Sequence, residues 1–278
     1  MMPLRNRVAL VTGAARGLGW GIARAFGVAG AKVCATDIVD DELARCARDL
    51  AADGTDFQTC HSDVADLTEC KRVVKIIVER WGRLDVVVHN AIYMPLITFE
   101  ATTPEQWARQ VNVGLGGLFN CAYAAWNQMK AQGGGHIIGI ASGSSIRGYK
   151  QEIAYCAIKH GIEGFVKALS LEAKPHNIAL NTIGPGIRIK PTRMTWAEHD
   201  EAPAELRGAW ANPVELGQAW VWLAAQSPSR FSGYRFDAAN LVQTIAREGY
   251  DFEFAVEKVT LYPDDFRARG EWYSNYAD

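Results

Sequence analysis

The sequence predicts one α/β domain built on a doubly wound parallel sheet of about seven strands flanked by helices. Short apolar runs rich in β-branched residues alternate with longer segments of helical periodicity along the 278 residues. Several of these runs are apolar throughout, which is typical of strands covered on both faces by helices. Strands that alternate with helices pair in parallel through right-handed crossovers. The chain shows no linker and no internal repeat, which favours a single domain.

The elements can be assigned in order along the chain. The runs predicted to be strands are residues 8–12, 32–36, 57–60, 85–89, 136–141, 178–183 and 234–237. The segments with the apolar spacing of helices are 19–30, 40–53, 67–81, 104–131, 154–174 and 213–226. The last helix has a clear start, because Asn212 can cap it, Pro213 takes its first position and Glu215 lies three residues after the cap.

The composition excludes several classes of protein. The 29 basic and 31 acidic residues give a net charge of −2, so nucleic acid is not expected as a partner. The longest apolar runs fall far short of the roughly 20 residues that cross a bilayer. The N-terminal residues lack the apolar region of a secretion signal. The cysteines and histidines show no metal-ligand spacing. We therefore expect a cytoplasmic protein without a metal site or a membrane partner.

A glycine-rich turn joins the first strand to the first helix. Residues 12–19 carry three glycines in the spacing G-x-x-x-G-x-G, with Gly13 first and Gly19 last. Glycines in such a turn let the backbone approach a pyrophosphate closely, and the following helix offers free backbone N–H groups and the positive end of its dipole. The pattern predicts a dinucleotide site; the alternative is an ordinary flexible turn.

Asp37 ends the second strand, where a carboxylate can accept hydrogen bonds from the ribose hydroxyls of a dinucleotide. Because this carboxylate would repel a 2′-phosphate, the sequence favours NAD over NADP. The alternative is that Asp37 only leads into the helix at Asp40. Arg16, inside the glycine turn, is the side chain that can reach a 2′-phosphate instead.

Tyr155 and Lys159 lie four residues apart on a predicted helix and therefore on one face. A neighbouring ammonium favours a phenolate, so Lys159 is predicted to lower the pKa of Tyr155. A tyrosine tuned in this way can take a proton from a hydroxyl or give one to a carbonyl. Ser142 follows the fifth strand, at the edge where open α/β sheets bind ligands, and can hold the same substrate oxygen. The alternatives are a surface cation–aromatic pair and a loop serine.

Together these motifs resemble the short-chain dehydrogenase/reductase family, of the common single-domain type with a Rossmann fold. The resemblance extends over about residues 5–240 and follows the order and spacing of the family. Besides the glycine turn and Asp37, the matching features are Asp63-Val64, Asn90-Ala91, Asn112, Ser142, Tyr155-x-x-x-Lys159 and Pro185-Gly186.

The resemblance implies a role for each matching residue. Tyr155 would be the acid/base, and Lys159 would bind the nicotinamide ribose and lower the tyrosine pKa. Ser142 would orient the substrate oxygen, and Asn112 would hold a water in the proton relay. The cofactor-binding residues so implied are Gly13, Arg16, Gly17, Leu18, Gly19, Asp37, Asp63, Val64, Asn90, Ala91, Tyr155, Lys159, Pro185, Gly186 and Arg188. The residues expected at the substrate are Ser144, Tyr149 and Trp196.

Three positions depart from the family pattern. Ile92 stands where a glycine usually follows Asn-Ala, and its branched side chain would narrow the space above the cofactor or change the backbone locally. Lys190 stands where a threonine often follows Pro-Gly, and its ammonium would meet the pyrophosphate or remain solvated. The usual Asp-Gly-Gly ending is Asp237-Ala-Ala239, and the chain continues for nearly 40 residues beyond it.

The catalytic domain is predicted to cover residues 1–244, with a basic substrate lid at about 187–212. The aromatic-rich extension at 245–278 is expected to dock across an oligomer near the pocket or, alternatively, to pack on its own subunit. Family members pair through the helices corresponding to 104–131 and 154–174. A homo-oligomer, a dimer or more specifically a tetramer, is therefore expected.

The predicted activity is an NAD(H)-dependent interconversion of a secondary alcohol and a ketone. One alternative is an NADP(H)-dependent carbonyl reductase similar to 3-oxoacyl reductases. Another is a dinucleotide-binding regulator without catalysis, against which the intact Ser142, Tyr155 and Lys159 argue. A methyltransferase also has a glycine turn and an acidic strand end, but it needs no tyrosine–lysine pair.

Overall fold

The computed structural model describes residues 2–253; the remainder of the predicted extension, 254–278, lies outside the described residues. Within the described part, the strands form one parallel sheet in the order β3-β2-β1-β4-β5-β6-β7. The strands are β1 (Val8–Thr12), β2 (Lys32–Asp37), β3 (Phe57–His61), β4 (Val86–His89), β5 (Gly135–Ile140), β6 (Ile178–Gly184) and β7 (Arg235–Asp237). The doubly wound fold is confirmed, and each predicted strand ends within one residue of the observed one.

Helices cover both faces of this sheet. They are α1 (Gly17–Val28), α2 (Asp40–Ala52), α3 (Leu67–Trp81), α4 (Pro104–Val111), α5 (Gly117–Ala131), α6 (Ile153–Ala173), α7 (Trp196–Glu201), α8 (Ala204–Gly208), α9 (Pro213–Ala225) and α10 (Ala238–Glu248). None of the helices within residues 2–253 is long and apolar enough to cross a membrane.

The core consists of two apolar layers, one on each face of the sheet. On β1, Ala9 and Val11 belong to the layer under α1, α2, α9 and α10, whereas Val8 and Leu10 belong to the layer under α3, α5 and α6. All four side chains are at most 2% exposed. This two-sided burial explains why the strand sequence is apolar throughout rather than alternating.

The helix predicted over residues 104–131 is interrupted. A π-helical segment, Asn112–Gly116, separates α4 from α5. The segment is rich in glycine, and its neighbour Gly117 approaches Val64 and His89 so closely that a Cβ there would lie 2.7 Å from the His89 ring. Packing against β4 therefore sets the path of this helix, and periodicity alone did not reveal the extra residue in its turn.

Within residues 2–253, one helix follows the sheet that the sequence pattern did not indicate. Asp237 caps α10, because its carboxylate accepts a hydrogen bond of 3.0 Å from the Asn240 backbone N–H. The helix crosses the predicted domain boundary between residues 244 and 245. Beyond it, the Phe252 ring stacks on Trp222 of α9 with ring centroids 5.1 Å apart. Residues 245–253 therefore belong structurally to the domain.

Candidate active site

A cavity of about 700 Å³ opens at the carboxyl ends of β1, β2, β4 and β5. This is the position where the order of an open sheet reverses and where such sheets bind ligands. The predicted site residues that line it are Gly13, Arg16, Gly17, Leu18, Asp37, Asp63, Val64, Asn90, Ala91, Ser142, Ser144, Tyr149, Tyr155, Lys159, Pro185 and Arg188. Four others do not line it: Gly19, Asn112, Gly186 and Trp196.

The glycine turn is tight and closely packed. Gly13 has φ +62°, and a Cβ on it would lie 2.7 Å from the Ala91 Cα. A Cβ on Gly19 would lie 2.2 Å from the Gly13 carbonyl oxygen. Asn90 holds the turn from β4, since its Nδ2 donates to the Gly13 oxygen at 2.8 Å and to the Thr12 oxygen at 3.2 Å. Glycine is therefore required here for close approach of backbones.

The turn presents a helix N-terminus to the cavity. α1 begins at Gly17, and its N-cap residue Arg16 makes no side-chain capping hydrogen bond. The first backbone N–H groups of α1 therefore remain available to an anion, as a pyrophosphate requires. Gly17 has φ +59°, which the tight entry into the helix needs and which other L-residues rarely adopt.

Asp37 stands at the end of β2 on the rim of the cavity. Its Oδ2 accepts a hydrogen bond from the Ala15 backbone N–H at 3.0 Å. Its Oδ1 accepts from the backbone N–H groups of Ile38 at 2.8 Å and Val39 at 3.2 Å. The carboxylate thus ties the glycine turn to β2 and is held in a fixed orientation toward the cavity.

Arg16 and the lid meet on one carboxylate of α2. Arg16 Nη1 donates to Glu42 Oε2 at 2.8 Å, and the Trp196 backbone N–H donates to Glu42 Oε1 at 3.0 Å. Trp196 is 9% exposed, and its indole N–H donates to the Ala15 oxygen at 3.0 Å. Trp196 does not line the cavity, and its assignment to the substrate stays a prediction. It anchors the lid on the outer side of the glycine turn.

Lys190 also lies beside the glycine turn. Its Nζ donates to the Met194 carbonyl, and its Cε lies 3.8 Å from the position of a Cβ on Gly17. Burial, with a smaller effect of the Arg16 charge, lowers the pKa of Lys190 to about 8. Of the two environments considered for this lysine, the structure favours the one next to the phosphate-binding backbone.

Asp63 lines the cavity beyond the end of β3. It accepts hydrogen bonds from the Ala65 backbone N–H at 3.0 Å and from Arg109 Nη1 at 2.7 Å. Burial opposes its ionisation, but these two partners outweigh burial and hold the pKa of Asp63 below its usual value. Arg109, which lines the same cavity, was not anticipated; its place on α4 across from Asp63 depends on long-range packing.

Tyr155 and Lys159 share one face of α6, as predicted, but their ionisation differs from the prediction. Burial raises the pKa of Tyr155 to about 12, a hydrogen bond with Ser142 opposes the rise, and the Glu152 charge adds to it. Burial lowers the pKa of Lys159 to about 8. Its Nζ donates to the Ile140 oxygen at 2.7 Å and lies 5.3 Å from the Tyr155 ring centroid. Burial therefore raises the pKa of Tyr155, whereas the sequence predicted that Lys159 would lower it.

Ser142 follows β5 and caps the short turn Gly143–Ser145. Its Oγ accepts a hydrogen bond from the Ser144 backbone N–H at 3.2 Å, and its carbonyl oxygen accepts one from Arg235 Nη2 at 2.8 Å. These bonds hold the serine hydroxyl at the cavity beside Tyr155. Ser142, Tyr155 and Lys159 therefore meet at one place, the end of the cavity farther along the sheet from the glycine turn.

Asn112 does not join this group. Its side chain is exposed, and the residue is absent from the cavity lining, in which Val113 represents the π-helical segment. The neighbouring Gly114 is buried, and a Cβ there would lie 2.5 Å from an Ile158 methyl group. The His89 Nε2 lies 2.8 Å from the Gly114 oxygen. The role that the resemblance implies for Asn112, holding a water in the proton relay, stays a prediction.

The structure shows the surroundings of two departures from the family pattern, Ile92 and the segment that begins at Asp237. Ile92 lines the cavity, and its Cδ1 lies 2.8 Å from the position of a Cβ on Gly114, so the absence of a side chain there accommodates it. Gly186 has φ +68°, and a Cβ on it would meet the Asp237 carboxylate at 2.1 Å. Asp237 therefore both caps α10 and packs against the turn that follows β6, while Pro185 lines the cavity.

The fold and this cavity define an oxidoreductase built on a dinucleotide-binding sheet. The chain matches the family described as short chain dehydrogenase over residues 7–202. It therefore belongs to the short-chain dehydrogenase/reductase family, whose members bind a nicotinamide dinucleotide. The sequence-based resemblance to this family is confirmed.

Individual relatives differ in the substrates that their names give. The chain is 37% identical to galactitol 2-dehydrogenase of Agrobacterium fabrum over 187 aligned residues, which are 67% of this chain and 72% of that protein. It is 32% identical over 240 residues to acetoacetyl-CoA reductase of Paracoccus denitrificans, with coverages of 84% and 97%. A metagenomic short-chain oxidoreductase solved in complex with NADP superimposes with a TM-score of 0.71 at 25% identity, covering 84% of this chain and 98% of that one.

Proposed function

We propose that the protein is an NAD(H)-dependent dehydrogenase that interconverts a secondary alcohol and a ketone. The observation that carries the proposal is the meeting of Ser142, Tyr155 and Lys159 in the same cavity as the glycine turn and Asp37. A hydroxyl, a phenol and a buried ammonium suit proton transfer at a substrate oxygen. The glycine turn suits a dinucleotide.

The residues present fit such a cofactor. The cradle that a Cβ at Gly13 would fill, the free N–H groups of α1 and the cavity volume of about 700 Å³ all suit a large anionic ligand. Asp37 would receive the adenosine ribose, and Lys159 the nicotinamide ribose. When bound, the nicotinamide ring accepts or returns the hydride of the carbinol carbon.

Tyr155 is proposed to exchange the proton of the substrate hydroxyl. In the oxidation direction it must first lose its own proton, and burial, which raises its pKa to about 12, makes that form scarce at neutral pH. Alcohol oxidation is therefore expected to accelerate as the pH rises, whereas ketone reduction uses the protonated phenol and does not need this step. Ser142 orients the oxygen. Asn112, the first residue of the π-helical segment, is proposed to hold a water of the proton relay.

NAD is the cofactor that the contacts of Arg16 and Asp37 support. A 2′-phosphate would meet the Asp37 carboxylate, and Arg16 is already engaged by Glu42. The alternative, an NADP(H)-dependent carbonyl reductase, is favoured by Lys190 near Gly17 and by the NADP bound to the metagenomic neighbour. Dissociation constants for NADH and NADPH, measured by fluorescence titration, test the choice. Equal constants would contradict it, and Asp37→Ala should narrow any difference.

Turnover distinguishes an enzyme from a dinucleotide-binding regulator. Absorbance of the reduced cofactor, followed with polyols, hydroxy acids, steroids and aromatic alcohols, should show activity with at least one class. Binding of the dinucleotide without turnover of any of them would support the regulator. The names of the relatives support both a polyol and an acyl thioester as substrates, and these differ in charge.

We also propose a cytoplasmic homo-oligomer, specifically a tetramer. Large apolar side chains are exposed along α4, α5 and α6: Trp107, Phe119, Tyr123 and Leu171. Such a surface suits burial against a second copy. Light scattering at micromolar concentration tests it, and a monomeric mass would contradict it.

The extension is proposed to help close the pocket of its own or a neighbouring subunit. Because Phe252 packs on Trp222, a truncation after Thr244 would damage the domain itself. A truncation after Glu253 is the sharper test. If the shortened protein keeps its oligomeric state in solution and its kcat/KM, the proposal is wrong.

A further inference from the structure

The substrate end of the cavity contains a carboxylate that neither the hydride transfer nor cofactor binding requires. Glu152 is the N-cap residue of α6, three residues before Tyr155, and it lines the cavity while half-buried. Its Oε2 accepts a hydrogen bond of 2.9 Å from the Ser144 hydroxyl. The group is therefore oriented rather than free to turn into solvent.

The position of Glu152 brings a negative charge close to the reacting centre. Its charge contributes to the raised pKa of Tyr155, which places the two groups within electrostatic reach. The walls around them carry the neutral side chains of Ser142, Ser144 and Tyr149, and the same cavity also holds cations, among them Lys159, which donates to the Ile140 oxygen, and Arg188 of the lid. An anionic group placed next to Glu152 would be repelled by this carboxylate, and that arrangement is unfavourable.

A carboxylate also has a positive preference. When ionised it only accepts hydrogen bonds, and hydroxyl groups are the donors that a neutral alcohol offers. An ammonium would be a second possible partner, but the buried Lys159, one turn beyond Tyr155 on α6, already brings a positive charge to this end of the cavity and opposes a second one. A second hydroxyl, on the carbon next to the alcohol whose proton Tyr155 takes, carries no charge and can donate a hydrogen bond to Glu152.

We propose that Glu152 selects a neutral polyhydroxylated alcohol, by accepting a hydrogen bond from a hydroxyl adjacent to the carbinol that is oxidised. The inference rests on the proposed function and specifies its substrate class. Ser144 holds the Glu152 carboxylate in place and is a positioning residue. Ser142 and Tyr155 bind the reacting oxygen, and Glu152 binds its neighbour.

Steady-state kinetics with saturating oxidised cofactor test the proposal. The probes are threitol, which has adjacent hydroxyls, butan-2-ol, which has one hydroxyl, and 3-hydroxybutyrate, which is an anion. Glu152→Gln removes the charge and keeps the size and an acceptor oxygen for Ser144. We expect KM for threitol to rise at least tenfold, with kcat changing by less than threefold, because a charge-assisted hydrogen bond is replaced by a weaker neutral one.

For the anion 3-hydroxybutyrate, KM is expected to change in the opposite direction. Loss of the charge should lower KM for 3-hydroxybutyrate several-fold in Glu152→Gln, an improvement that a damaged structure would not produce. Ser144→Ala should raise KM for threitol by a smaller factor, because the carboxylate remains and is only less well oriented. Glu79→Gln, the same change on the exposed surface of α3, is the matched control and should leave all three substrates unaffected.

The outcomes distinguish the role of Glu152 from the proposed dehydrogenase activity. Turnover of butan-2-ol but not of threitol by the unaltered protein would overturn the role of Glu152 and leave the dehydrogenase proposal intact. Equal effects of Glu152→Gln on KM for all three probes would overturn it too. Turnover of a steroid or an aromatic alcohol but of none of these three probes would overturn this inference alone. Absence of turnover with the whole panel, with the dinucleotide still bound, would overturn the proposed function and this inference with it.

Discussion

The two ends of the cavity are built differently. At the cofactor end, Asp37 and Asn90 bond to backbone groups of the glycine turn, and there is no room for a Cβ at Gly13 or Gly19. At the substrate end, side chains such as Glu152 and Ser144 bond to each other, and the loop between β4 and α4 contributes exposed apolar residues such as Leu96. The cofactor end is fixed by backbone geometry, whereas the substrate end can be altered residue by residue without changing the fold.

The largest effect is expected from removing the proton-transfer group at the substrate end. Tyr155→Phe keeps the ring and should reduce kcat by roughly 10²–10⁴, the range typical of general acid–base groups. The dissociation constant for the dinucleotide should change by less than threefold. Tyr123→Phe, on the exposed face of α5, is the control. Near-normal turnover of Tyr155→Phe would contradict the assignment of Tyr155 as the proton-transfer group at the substrate end.

Lys159 is expected to reduce stability at neutral pH. Its pKa is lowered to about 8, so between pH 8 and its usual value near 10.5 the unfolded chain binds a proton that the folded chain does not. The free energy of unfolding therefore rises with pH across this window, by about 3 kcal/mol in all. Lys159→Met should be more stable than the original at pH 7, with the difference shrinking toward pH 10.5.

Chemical denaturation across this pH range measures the effect. Lys167→Met, on the exposed side of the same helix, is the matched control and should show no such trend. Activity should be lost in Lys159→Met, since the buried ammonium contacts both the Ile140 oxygen and the tyrosine ring. A variant whose stability falls at pH 7 would mean that the hydrogen bond outweighs the burial of the charge.

At the cofactor end, close backbone approach should matter more than side-chain chemistry. Gly13→Ala should weaken dinucleotide binding at least tenfold and lower the free energy of unfolding by roughly 1–3 kcal/mol. Gly54→Ala is a matched control, because Gly54 also has a positive φ of +71° but nothing within 4 Å of the added Cβ. If both variants bind the dinucleotide equally well, close packing is not what the turn requires.

The smallest expected effect concerns cofactor choice. Glu42→Ala frees Arg16 from its 2.8 Å ion pair, so NADPH should bind about tenfold more tightly, which corresponds to about 1.4 kcal/mol, while NADH changes little. Asp41→Ala, an exposed neighbour in the same turn of α2, is the control. Fluorescence titration measures both constants. No gain for NADPH would show that Asp37 alone decides the preference.

The sequence predicted the elements around the glycine turn well because their determinants are local. Strand bounds, the glycine turn and Asp37 follow from runs and spacings within 30 residues of each other. Tyr155 and Lys159 were placed on one face for the same reason. What these patterns could not contain was the balance between charge and burial, which raises the Tyr155 pKa instead of lowering it.

The structure differs from the prediction where distant segments decide the outcome. Asn112 was placed in a regular helix, whereas it begins a π-helical turn in which Gly114 packs on α6, and the next residue after this turn, Gly117, packs on β4. Trp196 was assigned to the substrate, but its partners Ala15 and Glu42 are more than 150 residues away along the chain. Glu152 could have been found, since a residue three positions before Tyr155 on a helix lies on nearly the same face.

The carboxylate of Glu42 connects the glycine turn to the lid, so we expect opening of the lid and release of the cofactor to be coupled through it. It accepts hydrogen bonds from Arg16 of the glycine turn and from the Trp196 backbone of the lid, so the lid cannot leave without loosening the turn over the dinucleotide. We expect the residence time of the reduced cofactor to depend on this one side chain. Stopped-flow displacement of NADH should be several-fold faster in Glu42→Ala, and association should accelerate by a similar factor, so that the dissociation constant changes little. An unchanged release rate would mean that lid and cofactor exchange independently.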